Sequence, residues 1–167
     1  MKKVLILIGH GDIPYDFPKE KLKEYFKLRT LQRSGSINEE EKRYFLKLEE
    51  ELKKWKRNKS NDYHYFNIKK FSKYLQKEIN IKVDFAFNEF CSPDIKEKFE
   101  EIKDKYDEFY FLPTMIFSGK HTHFEIKEKI EDLKKENPDK KIFYVYPLKE
   151  DLVKKFFVGI IKEFINK

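Results

Sequence analysis

Four short apolar segments, each separated from the next by a helical pattern, constrain this chain more than any other feature. They are 3–8 (KVLILI), 82–87 (KVDFAF), 108–117 (EFYFLPTMIF) and 141–146 (KIFYVY). All are rich in β-branched or aromatic residues, as strands buried on both faces are. Helical stripes lie between and after them: Ile68, Phe71 and Leu75; Ile95, Phe99, Ile102 and Tyr106; Ile126, Ile130 and Leu133; and Leu152, Phe156, Ile160 and Phe164. Ser92 and Pro93 read as cap and first residue of the second stripe, and Asn137-Pro138 stops the third. Strand alternating with helix predicts parallel β-α-β units. The expected fold is therefore α/β, a mainly parallel four-stranded sheet in three layers with helices on both faces.

The rhythm breaks once. About sixty residues separate the first strand from the helix near 67–79, far more than an ordinary connection. They hold two helical patterns. The first carries Leu22, Tyr25, Phe26 and Leu28 and ends at Ser34-Gly35. The second opens on a capping-box spacing, Ser36 with Glu39, and runs through Phe45, Leu48, Leu52 and Trp55. Residues 18–60 thus read as a helical hairpin inserted after strand 1. It is either packing decoration or a lid or wall of a cleft, because strand 1 ends where α/β sheets bind ligands. With 167 residues, the expectation is one domain spanning 1–167.

Charged residues make up 40% and aromatics 17%, which argues for a soluble, ordered protein. The run VLILI is too short to span a membrane or form the core of a signal peptide. Cys91 is the single cysteine, so no internal disulfide forms, and a cytoplasmic location is expected. The net charge of +7 favours anionic ligands. Most lysines nevertheless have acidic neighbours three or four residues away, as in EIKEKIEDLKKE, and so read as solvated helix faces. The run KKWKRNKS raises a nucleic-acid arm, but it is short and its aromatics fall at core positions, so no nucleic-acid partner is expected.

Chemistry is expected at the carboxyl ends of the strands. Strand 1 ends in Gly9-His10-Gly11, strand 2 in Asn88-Glu89-Phe90, and strand 3 is followed by Ser118-Gly119-Lys120-His121-Thr122-His123. Imidazoles and a carboxylate then share one edge. Such a set suits a divalent first-row metal, or proton transfer near neutral pH. Thr122 and Glu125 have capping-box spacing, which predicts His123 as the first helical residue and His121 in the loop before it. Helical positions two apart point about 200° from each other, so His121 and His123 do not chelate one ion together. His64, in NDYHYF, reads as a surface residue. The chain has no G-x-x-x-x-G-K-[ST], no G-x-G-x-x-G, no G-x-S-x-G and no paired cysteines. Position 9 is glycine, so the R-H-G of a histidine phosphatase is missing too.

The segments VLILIGHGDIPYDFP, VDFAFNEFCSPDI and FYFLPTMIFSGKHTHFEIKEKIEDLKKENPDKKIFYVYPL, in that order, resemble the small CbiX-type sirohydrochlorin chelatases of the class II chelatase superfamily. The likeness covers strand 1 and most of the chain from about residue 67. The hairpin, with its NEFC-P segment, is similar to a longer bacterial subgroup. The resemblance implies insertion of a divalent metal (cobalt, nickel or iron, as substrate) into a sirohydrochlorin-like tetrapyrrole, without an organic cofactor. It implies that His10 and His121 hold the metal and accept pyrrole protons, and that Glu89 assists. By the same likeness Gly9, Gly11, Ser118 and Gly119 line the substrate site. Asp12 stands where the family often has serine, and Ser92-Pro93 where many members have Glu-Pro. These departures bear on substrate identity more than on reaction class. The alternative is a non-catalytic metal or tetrapyrrole carrier on the same fold. Small members of the family pair as homodimers; the hairpin offers another way to complete a cleft within one chain.

Overall fold

The computed structural model describes residues 1–166. Its centre is a four-stranded parallel sheet in the order β2-β1-β3-β4, formed by β1 (Lys3–Gly9), β2 (Lys82–Phe87), β3 (Glu108–Pro113) and β4 (Lys141–Tyr144). Between β1 and β2 run α1 (Lys19–Arg33), α2 (Glu39–Lys54) and α3 (Tyr63–Glu78). α4 (Ile95–Ile102) precedes β3, α5 (Ile126–Glu136) precedes β4, and α6 (Glu150–Ile165) follows it. None of these helices is long and apolar enough to cross a membrane.

Register decides what each face buries. Leu5 and Leu7 of β1 align with Val83 and Phe85 on one side and with Tyr110 and Leu112 on the other. In a parallel pair aligned residues share a face, so these six point one way. Val4, Ile6, Ile8, Ala86, Phe109, Phe111 and Ile142 point the other way, into a core with Ile95 and Phe99 of α4 and Ile126, Ile130 and Leu133 of α5. Each such aliphatic side chain, fully buried, contributes about 1.5–3 kcal/mol. α3 covers the opposite face over β1 and β2, where Ile68 and Tyr65 meet Phe85 and Phe87. The β3–β4 half of that face is left open. Phe143, stacked on Tyr110 at 4.9 Å between centroids, is 43% exposed.

The hairpin has its own core of Phe17, Tyr25, Leu28, Phe45, Leu48 and Leu52, completed by Trp55 and Phe90. α1 ends in a Schellman turn: Ser36 N–H donates to Leu31 O, Gly35 N–H donates to Gln32 O, and Gly35 has φ +70°. α2 is capped by Asn38 with Glu41 rather than by Ser36 with Glu39. α4 is capped by Asp94 with Glu97, while Ser92 and Pro93 lie outside the helix, where Ser92 N–H donates to Lys53 O at 3.1 Å. β3 stops at Pro113 and β4 at Tyr144, short of the sequence expectation, with one further ladder bond beyond each: Thr114 N–H donates to Ile8 O and Val145 N–H to Phe111 O, both at 2.9 Å. α6 forms as expected but buries none of its residues. Three of the five cations of KKWKRNKS are engaged within the chain: Lys53 pairs with Asp94, Lys54 with Glu50, and Arg57 with Asp62.

Arg57 joins the hairpin to the sheet. Its Nη1 donates to Asp12 O at 2.7 Å and to Asp62 Oδ2 at 2.6 Å; its Nη2 donates to Leu52 O at 3.0 Å and Phe90 O at 2.5 Å. Both side chains of the ion pair are almost fully buried. Removing one partner of such a pair strands the other charge, which typically costs about 3–5 kcal/mol. Arg57→Ala is therefore expected to lower unfolding free energy by about that amount in urea denaturation; a loss below about 1 kcal/mol would show that the pair organises nothing.

Candidate metal centre

Two loops deliver His10 and Glu89 side by side, because β1 and β2 go on pairing beyond their last strand residues. Asn88 N–H donates to Gly9 O at 2.9 Å and Glu89 N–H to His10 O at 2.8 Å. The approach demands glycine at position 11. Gly11 has φ +90°, and a Cβ there would lie 1.8 Å from the Glu89 carbonyl oxygen. Phe90 also adopts a positive φ, 56°, a strained conformation for a bulky side chain. That conformation turns its ring toward His10, at 6.1 Å, and toward Tyr25 of α1.

His121 arrives from the far side of β1, and not from a loop as the capping-box spacing predicted. The helix begins at Lys120, and His121–Glu125 form a π-helical turn in which Ile126 N–H donates to His121 O. The buried Thr122 hydroxyl bonds back to Gly119 instead of capping a helix that starts at His123. His121 and Glu125 therefore share one helical face, and His121 Nδ1 lies 2.7 Å from Glu125 Oε2. His123 is exposed on another face, against Phe124.

Hydrogen-bond chemistry fixes both tautomers. His10 Nδ1 lies 2.7 Å from Gly11 O, which only accepts. His121 Nδ1 faces a carboxylate, which also accepts. Each Nδ1 therefore carries a proton, so each neutral ring presents a lone pair on Nε2. The two Nε2 atoms face each other at 3.3 Å. Two lone pairs at that distance repel unless a cation lies between them. A tetrahedral ion with about 2.0–2.1 Å bonds holds two imidazole nitrogens about 3.3 Å apart. A Glu89 carboxylate oxygen completes a group in which all three ligand atoms lie within 4.8 Å of one another.

The surrounding groups orient this set. Burial pushes the Glu125 carboxyl up, but hydrogen bonds from His121 and Asn88, with the nearby Lys120 charge, outweigh it and hold Glu125 below the usual carboxylate range. The Asn88 amide turns its NH2 toward Glu125 Oε2 at 3.3 Å, while its oxygen accepts from Lys129 Nζ at 2.8 Å. The Lys129 ammonium also donates to Asn88 O at 2.9 Å, and its burial there lowers its pKa. Glu89 is paired with Arg29 of α1. Sequence reasoning took Glu125 for a capping partner and did not single out Arg29 or Lys129. The i,i+4 spacing of His121 and Glu125 was the one available signal.

The other predicted residues divide. Gly9 is buried beneath the cleft and Gly11 lines it. Ser118 and Gly119 are exposed in the loop before the π-turn, and a Cβ at Gly119 would meet nothing. His64 is half-buried rather than on the surface, its Nε2 enclosed without a partner, 2.9 Å from where a Gly9 Cβ would stand. Burial also pushes the Cys91 thiol up to about 12, so it stays protonated and is no metal ligand. Beside the histidines an open depression of about 340 Å³, lined by His10, Asp12, Tyr15, Tyr63 and Phe90, gives access from solvent. A larger one of about 500 Å³ lies along α3, away from the metal-ligating groups.

A family model for CbiX matches residues 59–156. The chain belongs to the CbiX family. The matched region holds Glu89 and His121 and stops short of His10 and most of the hairpin. No curated protein sequence matches significantly. Several solved structures share the fold, these three among them. The sirohydrochlorin chelatase SirB from Bacillus subtilis subspecies spizizenii, in complex with cobalt, is 16% identical with a TM-score of 0.51, covering 97% of this chain and 51% of that one. SirB from Bacillus subtilis with Fe3+ is 17% identical with a TM-score of 0.50, covering 92% and 44%. A cobalamin (vitamin B12) biosynthesis CbiX protein from Marinobacter aquaeolei VT8 is 15% identical with a TM-score of 0.54, covering 98% of both. The CbiX chain here thus spans about half the length of the SirB chains.

Outer hydrogen-bond partners of ligating histidines typically sustain 10–100-fold of metal affinity. Glu125→Gln is expected to weaken Co2+ binding by about that factor, read by visible absorption of the bound ion. His123→Ala is expected to leave binding unchanged. The reverse pattern would reassign the ligand.

Proposed function

We propose that this chain is a metal chelatase that inserts a divalent metal, Co2+, Ni2+ or Fe2+, into a sirohydrochlorin-like tetrapyrrole. One observation carries the reading: the inward Nε2 lone pairs of His10 and His121, with a Glu89 oxygen, converge at an open cleft. Membership of the CbiX family and the cobalt and iron held by SirB support it. Metallation replaces two pyrrole protons by one divalent ion. His10 and His121 present Nε2 lone pairs, able to hold the ion and then to take up the released protons. Glu89 offsets the charge of the ion. Glu125 stabilises the imidazolium that forms on His121, and the Gly11 carbonyl steadies His10.

Anaerobic insertion assays with the three metals test this. His10→Ala and His121→Ala are each expected to lower kcat/KM by at least about 100-fold, the scale of a lost acid–base group. Wild-type rates no faster than metal and tetrapyrrole alone, or stoichiometric binding without turnover, would favour a carrier instead.

Assembly belongs to the same reading. α6 presents a stripe of Leu152, Phe156, Ile160 and Ile161, of which Leu152 is 60% and Phe156 52% exposed. Its first turns lean on the loop before the site, where Phe157 stacks on Phe117 at 5.7 Å. The sheet meanwhile leaves Tyr110, Leu112, Phe143 and Val145 open beside Phe71 and Tyr74 of α3. The chain thus carries a helix lacking a face and a face lacking a helix. Two copies exchanging α6 about a two-fold axis cover both. Light scattering after size exclusion is expected to give a dimer for wild type and a monomer for Phe156→Glu/Ile160→Glu. A monomeric wild type, with α6 folded back on its own sheet, would overturn the exchange.

A further inference from the structure

Glu89 is not free to meet a cation. The guanidinium of Arg29, reaching from α1, is bonded to its Oε1. Both side chains are largely buried, 18% and 13% exposed. The guanidinium also lies 5.1 Å from the centre of the Phe90 ring and 6.0 Å from that of Tyr25. It is thus held by two aromatic faces as well as by the carboxylate. A positive charge bonded to one ligand neutralises that ligand and repels a divalent ion at the other two. The three groups therefore have the composition of a metal site but lack its net charge while Arg29 stays in place.

Resting on the function proposed above, we propose that Arg29 is an exchangeable latch. In the substrate-free protein it holds Glu89. When a tetrapyrrole enters, one of its peripheral carboxylates takes the guanidinium, and Glu89 is released to the metal. A planar two-pronged guanidinium suits such an exchange, because a side-chain and a substrate carboxylate offer it the same geometry. The aromatic faces of Phe90 and Tyr25 keep Arg29 at the cleft wall through the exchange. The inserted hairpin is then the part of the chain that senses substrate, and α1 is placed where it is in order to carry this residue. The coupling is reciprocal: bound metal strengthens polycarboxylate binding by the same factor. A plain structural clip makes the opposite prediction, since losing it would disorder Glu89 and weaken metal binding.

Co2+ titrations followed by visible absorption separate the two, since they do not depend on turnover. In the absence of tetrapyrrole, Arg29→Gln is expected to bind Co2+ roughly tenfold more tightly than wild type, the usual scale of such couplings. Zinc uroporphyrin, a polycarboxylate whose macrocycle is already filled, is expected to tighten Co2+ binding to wild type but not to Arg29→Gln; its methyl ester is expected to do neither. In the insertion assay Arg29→Gln raises KM for tetrapyrrole with kcat little changed. Arg29→Lys keeps the charge but not the fork, so it is expected to raise KM while leaving Co2+ affinity at the wild-type level. Arg29→Gln binding Co2+ no more tightly than wild type overturns the latch, and an unchanged KM in Arg29→Lys overturns its carboxylate half. If His10→Ala abolishes Co2+ binding while Arg29→Gln leaves it unchanged, the latch alone fails. If His10→Ala binds Co2+ as wild type does, the metal centre itself is wrong.

Discussion

The buried guanidinium of Arg57 is the contact on which the arrangement of the site depends. It bonds to backbone carbonyls of three separate segments: Asp12 after β1, Leu52 near the end of α2, and Phe90 after β2. Its counter-ion, Asp62, uses its other oxygen to cap α3 through Tyr65 N–H. One cation therefore ties the loop that follows His10, the loop that holds Glu89, the hairpin and the helix behind β1. Each carbonyl satisfied in this way is a polar group that would otherwise be costly to enclose. A histidine and a carboxylate separated by 79 positions meet because the peptides flanking them share this partner.

Around that anchor the chemistry is a matter of lone pairs. Gly11 O and Glu125 are placed on the Nδ1 side of the two imidazoles, so the Nε2 side is electron-rich. Asn88 and Lys129 continue the chain outward: the ammonium orders the amide, the amide orders the carboxylate, and the carboxylate orders the ring. These contributions act through geometry, and none of the outer groups needs to touch a bound ion.

Much of this was legible in the chain. Short apolar runs rich in β-branched and aromatic residues marked the four strands, and the residues at their carboxyl ends, His10, Glu89 and His121, marked the site. The helix starts were misread for one physical reason. Acidic, polar helix openings contain overlapping capping frames: SINEEE offers both Ser36 with Glu39 and Asn38 with Glu41, and CSPDIKE offers Asp94 with Glu97 just after Ser92. Tertiary hydrogen bonds choose among such frames, and Ser92 N–H was already committed to Lys53 O. At Thr122 the same ambiguity hid a π-turn, and with it the role of Glu125. Arg29 was illegible because nothing local announces a partner sixty residues away.

The stack of Phe157 on Phe117 links two regions treated separately above. Phe117 and Ile116 lie just before the π-turn that carries His121, and the first turns of α6 rest on them. Whatever covers α6 must also restrain this loop, and whatever fixes His121 must steady the root of α6. In the dimer and metal centre proposed above, self-association and ion binding would be linked equilibria, with dilution acting as an antagonist of the metal.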